Sequence, residues 1–424
     1  MTNPQLPKYS SRLGRWRLGV GSYLFFVFAV VLGVSVRTQD WPQWRGPARD
    51  GHIEGFRAPA TWPKELTKRW TVDVGAGYAT PLVVGDRVYI FTRQGDDEMM
   101  RALDPATGKE LWRTSYPAPF KMNPATAPHG PGPKSTPAFA NNRLFTLGIS
   151  GIVTAWDART GARIWQRPAG PVEPLYHTGM SPLVVGDLVV FHVGGHDNGA
   201  LTAFDVASGK ERWSWTGDGP AYSSPLLFNL SGTPQIVTFT QKYFVGVSAA
   251  DGKLLWRRPF TTPSTTTSQT PILYKDTVIE MGRNNGVTAF RAMPGSGEWP
   301  TSNVWHTDEV SMHLSDAVAI DGVLFGFSHL NSGQYFALDL DTGRVLWKSE
   351  PRQGNHAAIV RAGNTIISLE DDSDLIVLRN SRERFDPIAR YKVAPTDTWT
   401  QPVVSGNRIF VKDVSSLTLW TIGT

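Results

Sequence analysis

Short apolar stretches separated by polar turns recur along most of this chain. Each stretch has Ser/Thr-Pro or a related start, an apolar pair, a Gly-Asp or Asn turn and a second apolar run, as in Pro81–Phe91. Two apolar runs around a tight turn predict two antiparallel strands. A period of about 45 residues is typical of a β-propeller, so we predict an all-β chain of eight four-stranded blades. The eight repeats start at Pro81, Pro137, Pro182, Pro225, Pro271, Ala317, Ala357 and Pro402.

The second half of each repeat carries a motif, Ala-x-Asp-x-x-Thr/Ser-Gly followed by Trp. Good copies are Arg101–Trp112 and Thr154–Trp165. The Asp is suited to cap a turn, and the Gly supplies its positive φ position. The Trp is large and flat, so we expect it to fill the gap between neighbouring blades. The seventh repeat departs from this pattern, because Tyr391 stands where a Trp is expected.

The two ends of the repeat region complement each other. The last repeat offers three strands, Pro402–Val404, Arg408–Lys412 and Leu417–Ile422, and lacks a fourth. A strand with the expected Trp, Lys68–Val74, precedes the first repeat. We therefore predict that these termini pair and close the ring, which removes its open edges.

The N-terminus predicts export. Basic residues through Arg17 precede Leu18–Val36, an uncharged apolar stretch that predicts a hydrophobic helix. Its length suits either a secretory signal or a membrane anchor. Basic residues before the stretch keep the N-terminus in the cytoplasm and send the remainder outside. We expect a chain in the periplasm or cell envelope, with inner-membrane attachment through residues 18–36 as the alternative to cleavage.

This division gives three parts: a leader at 1–37, a lead-in segment at 38–64 that packs on the propeller, and the propeller at 65–424. In the lead-in, Trp41 and Trp44 are expected to pack on the propeller rim. Five of the 42 basic residues lie in the leader, so the remaining chain balances 37 basic against 37 acidic residues. That balance and the absence of a basic run argue against nucleic acid as a partner. The chain has no cysteine, which excludes disulfides and thiolate chemistry.

The motif resembles that of the PQQ-repeat (quinoprotein-like) propellers over about residues 65–424. One branch of that superfamily contains PQQ-dependent alcohol and sugar dehydrogenases, many with a vicinal Cys pair. The other contains noncatalytic scaffolds, such as the lipoprotein subunit of the outer-membrane β-barrel assembly machine, to which this chain is more similar in style. The resemblance implies the propeller. The missing cysteines set the chain apart from both branches in detail.

Chemistry in a propeller is expected where loops lead into the innermost strands and follow the second strands, since both lie at one face. Lys134 and Asp316 lie in these loops. Catalytic motifs and a spaced metal-ligand pattern are absent from the sequence, and the acidic run Glu370–Asp374 is interpreted as a solvated loop. The candidate ligand-binding residues at this face are Tyr78, His177, Tyr222, Lys242, Arg283, His313, His329, His356 and Trp399.

Two functions are compatible with these observations. The first is an exported, noncatalytic scaffold that binds an envelope protein or peptide, or a small ligand. The alternative is a PQQ-dependent oxidoreductase that holds PQQ and Ca²⁺ in the central channel. The fold alone does not choose between them.

Overall fold

The computed structural model describes residues 40–423. It confirms an all-β propeller of eight blades, each an antiparallel sheet of four strands in simple up-and-down order. The predicted hydrophobic helix at 18–36 lies outside the described residues. Between residues 40 and 423 the helices are short 3-10 turns, at Pro124–His129, Pro263–Thr265 and Leu330–Ser332. None of them has the length and apolar character needed to cross a membrane.

The strands are numbered in chain order. β1 (His52–Ile53) and β2 (Thr67–Asp73) precede the first repeat. Blades one to four are formed by β3–β6 (Leu82–Val84, Arg87–Gln94, Asp97–Leu103, Glu110–Pro117), β7–β10 (Ala138–Ala140, Arg143–Leu147, Val153–Asp157, Arg163–Arg167), β11–β14 (Leu183–Val185, Leu188–Gly195, Asn198–Asp205, Glu211–Trp215) and β15–β18 (Leu226–Leu230, Thr233–Phe239, Tyr243–Ser248, Leu254–Pro259). Blades five to eight are formed by β19–β22 (Ile272–Tyr274, Thr277–Met281, Val287–Ala292, Thr301–Thr307), β23–β26 (Val318–Ile320, Val323–Ser328, Gln334–Asp339, Val345–Lys348), β27–β30 (Ala357–Ala362, Thr365–Glu370, Asp374–Arg379, Pro387–Lys392) and β31–β33 (Val403–Ser405, Arg408–Lys412, Ser416–Thr421).

Ring closure follows the predicted scheme. β2 forms the outer strand of blade eight and pairs antiparallel with β33, from Thr67 opposite Thr421 to Asp73 opposite Ser416. The first and last parts of the propeller are thus held in one sheet. With β2 in place, blade eight has four strands, and β33 is no longer an unpaired outer edge strand.

The motif tryptophans join neighbouring blades, as the sequence predicts. Trp165 of blade two packs over Gly209 of blade three, and its Nε1 donates to Val206 O at 3.2 Å. Trp213 repeats this contact with the next blade, donating to Ala249 O at 3.2 Å. Both indoles therefore bury a face on the next blade's turn and satisfy their single donor there. The same donation to a following blade is made by Trp70, Trp305 and Trp347.

The Asp of each motif organises the turn that receives this indole. In blade one, Asp104 Oδ1 accepts from Thr107 N at 2.8 Å, Thr107 Oγ1 at 2.8 Å and Ala106 N at 3.0 Å. These hydrogen bonds hold the pKa of Asp104 below its ordinary value. Asp157, Asp205 and Asp339 are bonded in the same way. The turn is thus a rigid platform for the neighbouring Trp.

In blade seven the strand register places Ala389, opposite Val377, at the position that Trp occupies in blade six. Tyr391, expected there from the sequence, lies two residues further on, opposite Leu375. Tyr391 is buried, and its hydroxyl donates to Pro63 O of the lead-in segment at 2.7 Å. Tyr391 therefore joins blade seven to chain that lies before the first repeat.

The turn that receives Trp165 requires a glycine at position 209 for two reasons, its positive φ and its close contact with the indole. This requirement gives the first prediction. Gly209 has φ +66°, and an added Cβ would lie 2.5 Å from Trp165 Cδ2. Left-handed backbone and overpacking each cost about 1–2 kcal/mol or more, so we expect Gly209→Ala to lose about 2–4 kcal/mol of unfolding free energy. Chemical denaturation of the full chain measures this loss.

The matched control is Gly85→Ala. Gly85 has φ +59°, but an added Cβ would meet nothing within 4 Å. It should lose only about 1 kcal/mol, the cost of the left-handed backbone alone. Equal losses in the two variants would show that the contact between blades adds nothing.

Candidate functional site

The lead-in segment does not lie on the rim as predicted for Trp41 and Trp44. It runs along the innermost strands of the ring. Trp41 is 1% exposed and pairs with Val83 of β3, with N···O distances of 2.6 and 3.1 Å. Pro42 O accepts from Phe139 N of β7 at 2.7 Å. The innermost strands expose backbone groups that need partners, and this segment supplies them.

Two arginines of the lead-in bind different parts of the ring. Arg45 Nη2 donates to Ala317 O before blade six at 2.6 Å. Arg49 Nη1 donates to Pro182 O before blade three at 2.7 Å. Both side chains are buried. Burial, and secondly the charge of Arg45, lowers the pKa of Arg49 to about 9.

The segment then leaves along blade seven. β1 adds to β27 in parallel, with His52 opposite Arg361, and makes this sheet five-stranded. Arg361 N also donates to Gly51 O at 2.7 Å. Residues 40–53 thus touch inner elements of several blades and act as an internal brace across the ring.

Trp44 of this brace forms part of a cavity of about 320 Å³ at the face where loops lead into the innermost strands. Its Nε1 donates to Thr270 Oγ1 at 2.9 Å, which fixes the indole. We call this cavity the funnel. It is lined by Trp44, Tyr78, Ala125, Thr126, His129, Lys134, Tyr176, Gly179, Tyr222, Ser224, Ser264, Thr266, Ser268, Arg283, His313, Leu314, Asp316, His356, Ala358, Trp399 and Gln401.

Of the nine candidate residues, six line the funnel: Tyr78, Tyr222, Arg283, His313, His356 and Trp399. Three do not. His177 is buried at φ +65°, and its Nε2 accepts from Asn123 N at 3.3 Å. Lys242 lines a separate Gly-rich cleft and pairs with Asp197 at 2.6 Å. The ring of His329 lies 6.1 Å from that of His313 but does not line the funnel.

One wall of the funnel is aromatic. The imidazole of His356 stacks on the indole of Trp399, with centroids 5.1 Å apart and an interplanar angle of 15°. His129 meets the same indole edge-on at 4.7 Å. Tyr78 contacts both rings at 6.5 Å. Burial, and then Asp397 and Asp413, raises the pKa of Tyr78 to about 12, so its phenol is a protonated donor.

Three buried polar atoms in the funnel have no partner among the described residues, and one of them is Arg283 Nε. The other two are His356 Nε2 and Gln401 Oε1. His356 Nδ1 lies 3.2 Å from Ser315 Oγ, which itself accepts from Ala357 N. The Ser315 proton is therefore free to donate to Nδ1, and in that arrangement Nε2 carries the ring proton. Burial lowers the pKa of His356 to about 4, so the ring is neutral at pH 7.

The charged groups of the funnel are unbalanced. Lys134 Nζ donates to Tyr222 OH at 3.2 Å and Tyr176 O at 3.4 Å, both neutral acceptors, and burial lowers its pKa to about 8. Arg283 Nε is buried without a partner among residues 40–423. The single lining carboxylate is Asp316, which accepts from Thr270 N at 2.6 Å and is already engaged by the brace. The funnel therefore favours an anion.

The acidic loop after β28 is a separate feature. Glu370, Asp372 and Asp374 offer oxygens within 4.8 Å of one another. Arg390 lies 2.7 Å from Asp374 and 3.5 Å from Glu370, and Lys392 lies 3.2 Å from Asp374. The carboxylates are thus paired with cations, in place of the solvated loop expected from the sequence.

Glu370 in this loop gives the second prediction. Burial raises its pKa from 4.5 to about 7, against a hydrogen bond from Tyr335 and the charge of Arg390. The folded chain therefore binds this proton more tightly, and its stabilising contribution is lost as pH rises from about 4.5 through about 7. The loss corresponds to roughly 3 kcal/mol. Denaturation of Glu370→Gln and the unchanged chain at pH 4.5 and 8 should differ by this slope.

Exposed Glu54→Gln is the control for Glu370→Gln and should leave the slope unchanged. If Glu370→Gln keeps the full pH dependence, the carboxyl group of Glu370 does not titrate in this range.

A comparison with known protein families shows which family this propeller belongs to. Residues 96–349, more than half the chain, match the family model described as outer membrane protein assembly factor BamB. The chain belongs to this family. The matched residues run from blade one into blade six, so the resemblance inferred from the repeat motif is confirmed.

Individual relatives agree with membership of the BamB family. The outer membrane protein assembly factor BamB of Burkholderia pseudomallei (strain K96243) is 25% identical over 359 residues, covering 74% of this chain and 88% of that protein. The crystal structure of BamB from Moraxella catarrhalis has a TM-score of 0.60 at 16% identity, covering 84% of this chain and 97% of that one.

The quinoprotein enzymes share the architecture. Quinohemoprotein alcohol dehydrogenase ADHIIG from Pseudomonas putida HK5 has a TM-score of 0.66 at 14% identity, covering 91% of this chain and 80% of that one. At such identities the solved structures show the fold alone, for this enzyme and for BamB alike.

The funnel residues of this BamB-family propeller that the sequence prediction missed include Trp44, His129, Tyr176 and Gln401. Trp44 was assigned a packing role on the rim. His129 lies in the long connection between blades one and two, whose unusual length was the available signal. Tyr176 directly precedes the candidate His177 in the chain, and Tyr176 is the one that lines the funnel.

Proposed function

We propose that this chain is an exported, noncatalytic β-propeller scaffold that holds a protein partner in the cell envelope. The observation that carries the proposal is the BamB family match, together with relatives named for outer membrane protein assembly that align over most of both chains. The partner is then an envelope protein engaged in the assembly of outer membrane proteins. The basic and apolar leader at 1–37 supports delivery across the inner membrane.

The funnel face is the surface we propose for the partner. It combines an open cavity, an aromatic wall and polar atoms whose hydrogen bonds are unmade. Binding residues are commonly found on loops that a rigid scaffold positions, and the eight blades provide that scaffold. The opposite face carries the Asp-Thr-Gly turns, whose donors and acceptors are internally satisfied.

Site-specific photocrosslinking in the native cells tests this proposal. A benzophenone amino acid is placed at Ala125 or Ser264, which are exposed and line the funnel. Matched controls are Ala106 and Arg159, exposed positions in turns of the opposite face. We expect one envelope protein to be crosslinked from the funnel positions and not from the controls.

Two results would overturn the scaffold proposal. One is the absence of adducts at both funnel positions while the protein is present in the envelope fraction. The other is the same set of adducts from all four positions, which indicates non-specific proximity.

The alternative, a PQQ-dependent oxidoreductase, requires residues that can hold Ca²⁺ and PQQ, and the funnel residues do not provide them. Ca²⁺ prefers six to eight oxygen ligands, usually including several carboxylates. The funnel side chains include one carboxylate, Asp316, and it is held by Thr270 and Arg45. The clustered carboxylates after β28 do not line the funnel. The donor set thus does not fit a calcium-held quinone. Dye reduction by purified protein given PQQ, Ca²⁺ and an alcohol would favour the alternative.

A further inference from the structure

The unpartnered polar atoms of the funnel indicate what kind of ligand would bind there. Buried polar atoms in native proteins are almost always paired, so an unpaired one calls for a partner. His356 is 6% exposed, and its Nε2 lacks an acceptor. Gln401 is 2% exposed, and its Oε1 lacks a donor. These two residues therefore offer one buried donor to an acceptor and one buried acceptor to an N–H group.

The charge of the funnel specifies the acceptor. Arg283 has no carboxylate within ion-pair distance among the described residues, and Lys134 is bonded only to uncharged oxygens. Asp316 does not neutralise them, because it already accepts from Thr270 and lies 3.6 Å from Arg45 Nη1. A carboxylate is the anion that a guanidinium binds through paired hydrogen bonds.

The size and walls of the funnel specify the rest. A volume of about 320 Å³ is at the lower end of ligand cavities, which run from roughly 300 to 1,000 Å³. It suits one residue and not a folded segment. Trp399, Tyr78 and Trp44 provide apolar ring surface for a side chain of that residue.

We infer that the funnel binds the C-terminal residue of a polypeptide, with an aromatic or large apolar side chain. Arg283 and the Nε2–H of His356 receive the terminal carboxylate, and Gln401 Oε1 accepts the amide N–H of the same residue. The side chain packs against Trp399. This inference deepens the proposed scaffold function, on which its biological source rests, by naming what the partner presents.

Calorimetric titration of the full chain with three small probes tests the chemistry. N-acetyl-L-phenylalanine carries the carboxylate, the amide N–H and the ring. Its C-terminal amide lacks the charge, and 3-phenylpropionate lacks the N–H. A hydrogen bond to a charged group contributes about 1.5–3 kcal/mol, so the acid should bind roughly 10- to 100-fold more tightly than the amide. 3-Phenylpropionate should bind several-fold more weakly than the N-acetyl acid.

Variants assign the effect to the funnel. Arg283→Gln should weaken binding of the N-acetyl acid at least about 10-fold and leave the amide almost unaffected. Arg159→Gln, in an exposed turn outside the funnel, is the matched control and should bind as the unchanged chain does. Arg283 makes no side-chain hydrogen bond within residues 40–423, so a thermal melt should show both variants equally folded.

The inference is overturned if the acid does not bind, if acid and amide bind equally, or if Arg283→Gln matches Arg159→Gln. Equal binding of 3-phenylpropionate and the N-acetyl acid would assign the site to free carboxylic acids and overturn the polypeptide terminus. The two experiments distinguish failure of this inference from failure of the scaffold proposal. Crosslinking without acid-specific binding removes this inference alone, and acid-specific binding without crosslinking removes the envelope partner alone.

Discussion

An Arg45→Ala variant is expected to lose about 3–5 kcal/mol of unfolding free energy, the range for removing one partner of a buried ion pair. Arg45 is 1% exposed, lies 3.6 Å from Asp316 and donates to Ala317 O at 2.6 Å. Truncation leaves the carboxylate of Asp316, 7% exposed, without its cation and an inner carbonyl without its donor. Denaturant titration of the full chain, followed by near-UV circular dichroism, measures the loss.

Two further variants separate charge from packing in the Arg45 experiment. Arg57→Ala removes an exposed arginine of the same lead-in and should change stability by less than about 0.5 kcal/mol. Asp316→Asn in the Arg45→Ala background removes the uncompensated charge and should recover about 1–2 kcal/mol. A loss below about 1 kcal/mol for Arg45→Ala would contradict the role of residues 40–53 as a brace.

Acidification is expected to destabilise the propeller strongly between about pH 6.5 and pH 4. Burial lowers the pKa of His177, His192 and His356 to about 4 from 6.5. In this interval the imidazoles of the unfolded chain bind protons, whereas those of the folded chain stay neutral. The stability present above pH 6.5 is therefore lost as pH falls. Each side chain is less than 10% exposed, and each contributes up to about 3 kcal/mol. Melting temperatures across pH 4–8 measure the slope.

His192 provides the test of single-residue origin. It is 2% exposed and its Nε2 lies 2.9 Å from Asp218 O, outside the funnel. His192→Gln retains a donor for that carbonyl and should remove about a third of the acid slope from these three residues, whereas half-exposed His52→Gln should not. The carboxyl of Glu370 acts in the opposite direction, so the comparison is made between variants at each pH. An unchanged slope in His192→Gln would refute the assignment.

The architecture was predictable because the same motif of Asp, Gly and Trp recurs in most of the blades. The Asp and Gly of a motif specify the turn, and the Trp specifies the neighbour, as Trp165 on Gly209 illustrates. Closure was equally visible, since Trp70 occurs in a strand that the last repeat lacks. These signals are local in sequence, which is why pattern alone could find them.

The brace and part of the funnel were not predictable in the same way. The lead-in has no repeat to compare with, and its side chains bind carbonyl groups that any residue carries, such as Pro182 O and Ala317 O. Loop residues could be assigned to the correct face, but not to the cavity. Lys242 forms an ion pair with Asp197 in another cleft, and Tyr176 lines the funnel in place of its neighbour His177.

The route of the lead-in through the ring has a consequence for the order of folding. Its hydrogen bonds join residues 226 positions apart at Trp44 and Thr270, and 272 apart at Arg45 and Ala317. Chains with such distant contacts fold slowly, because loop closure must precede the stabilising contact. Residues 40–53 precede all the blades in the chain, yet they dock late in folding, because Arg45 needs blade six as a partner. Until then the tryptophans of this segment stay accessible, so a chaperone that shields them should raise the yield of folded ring.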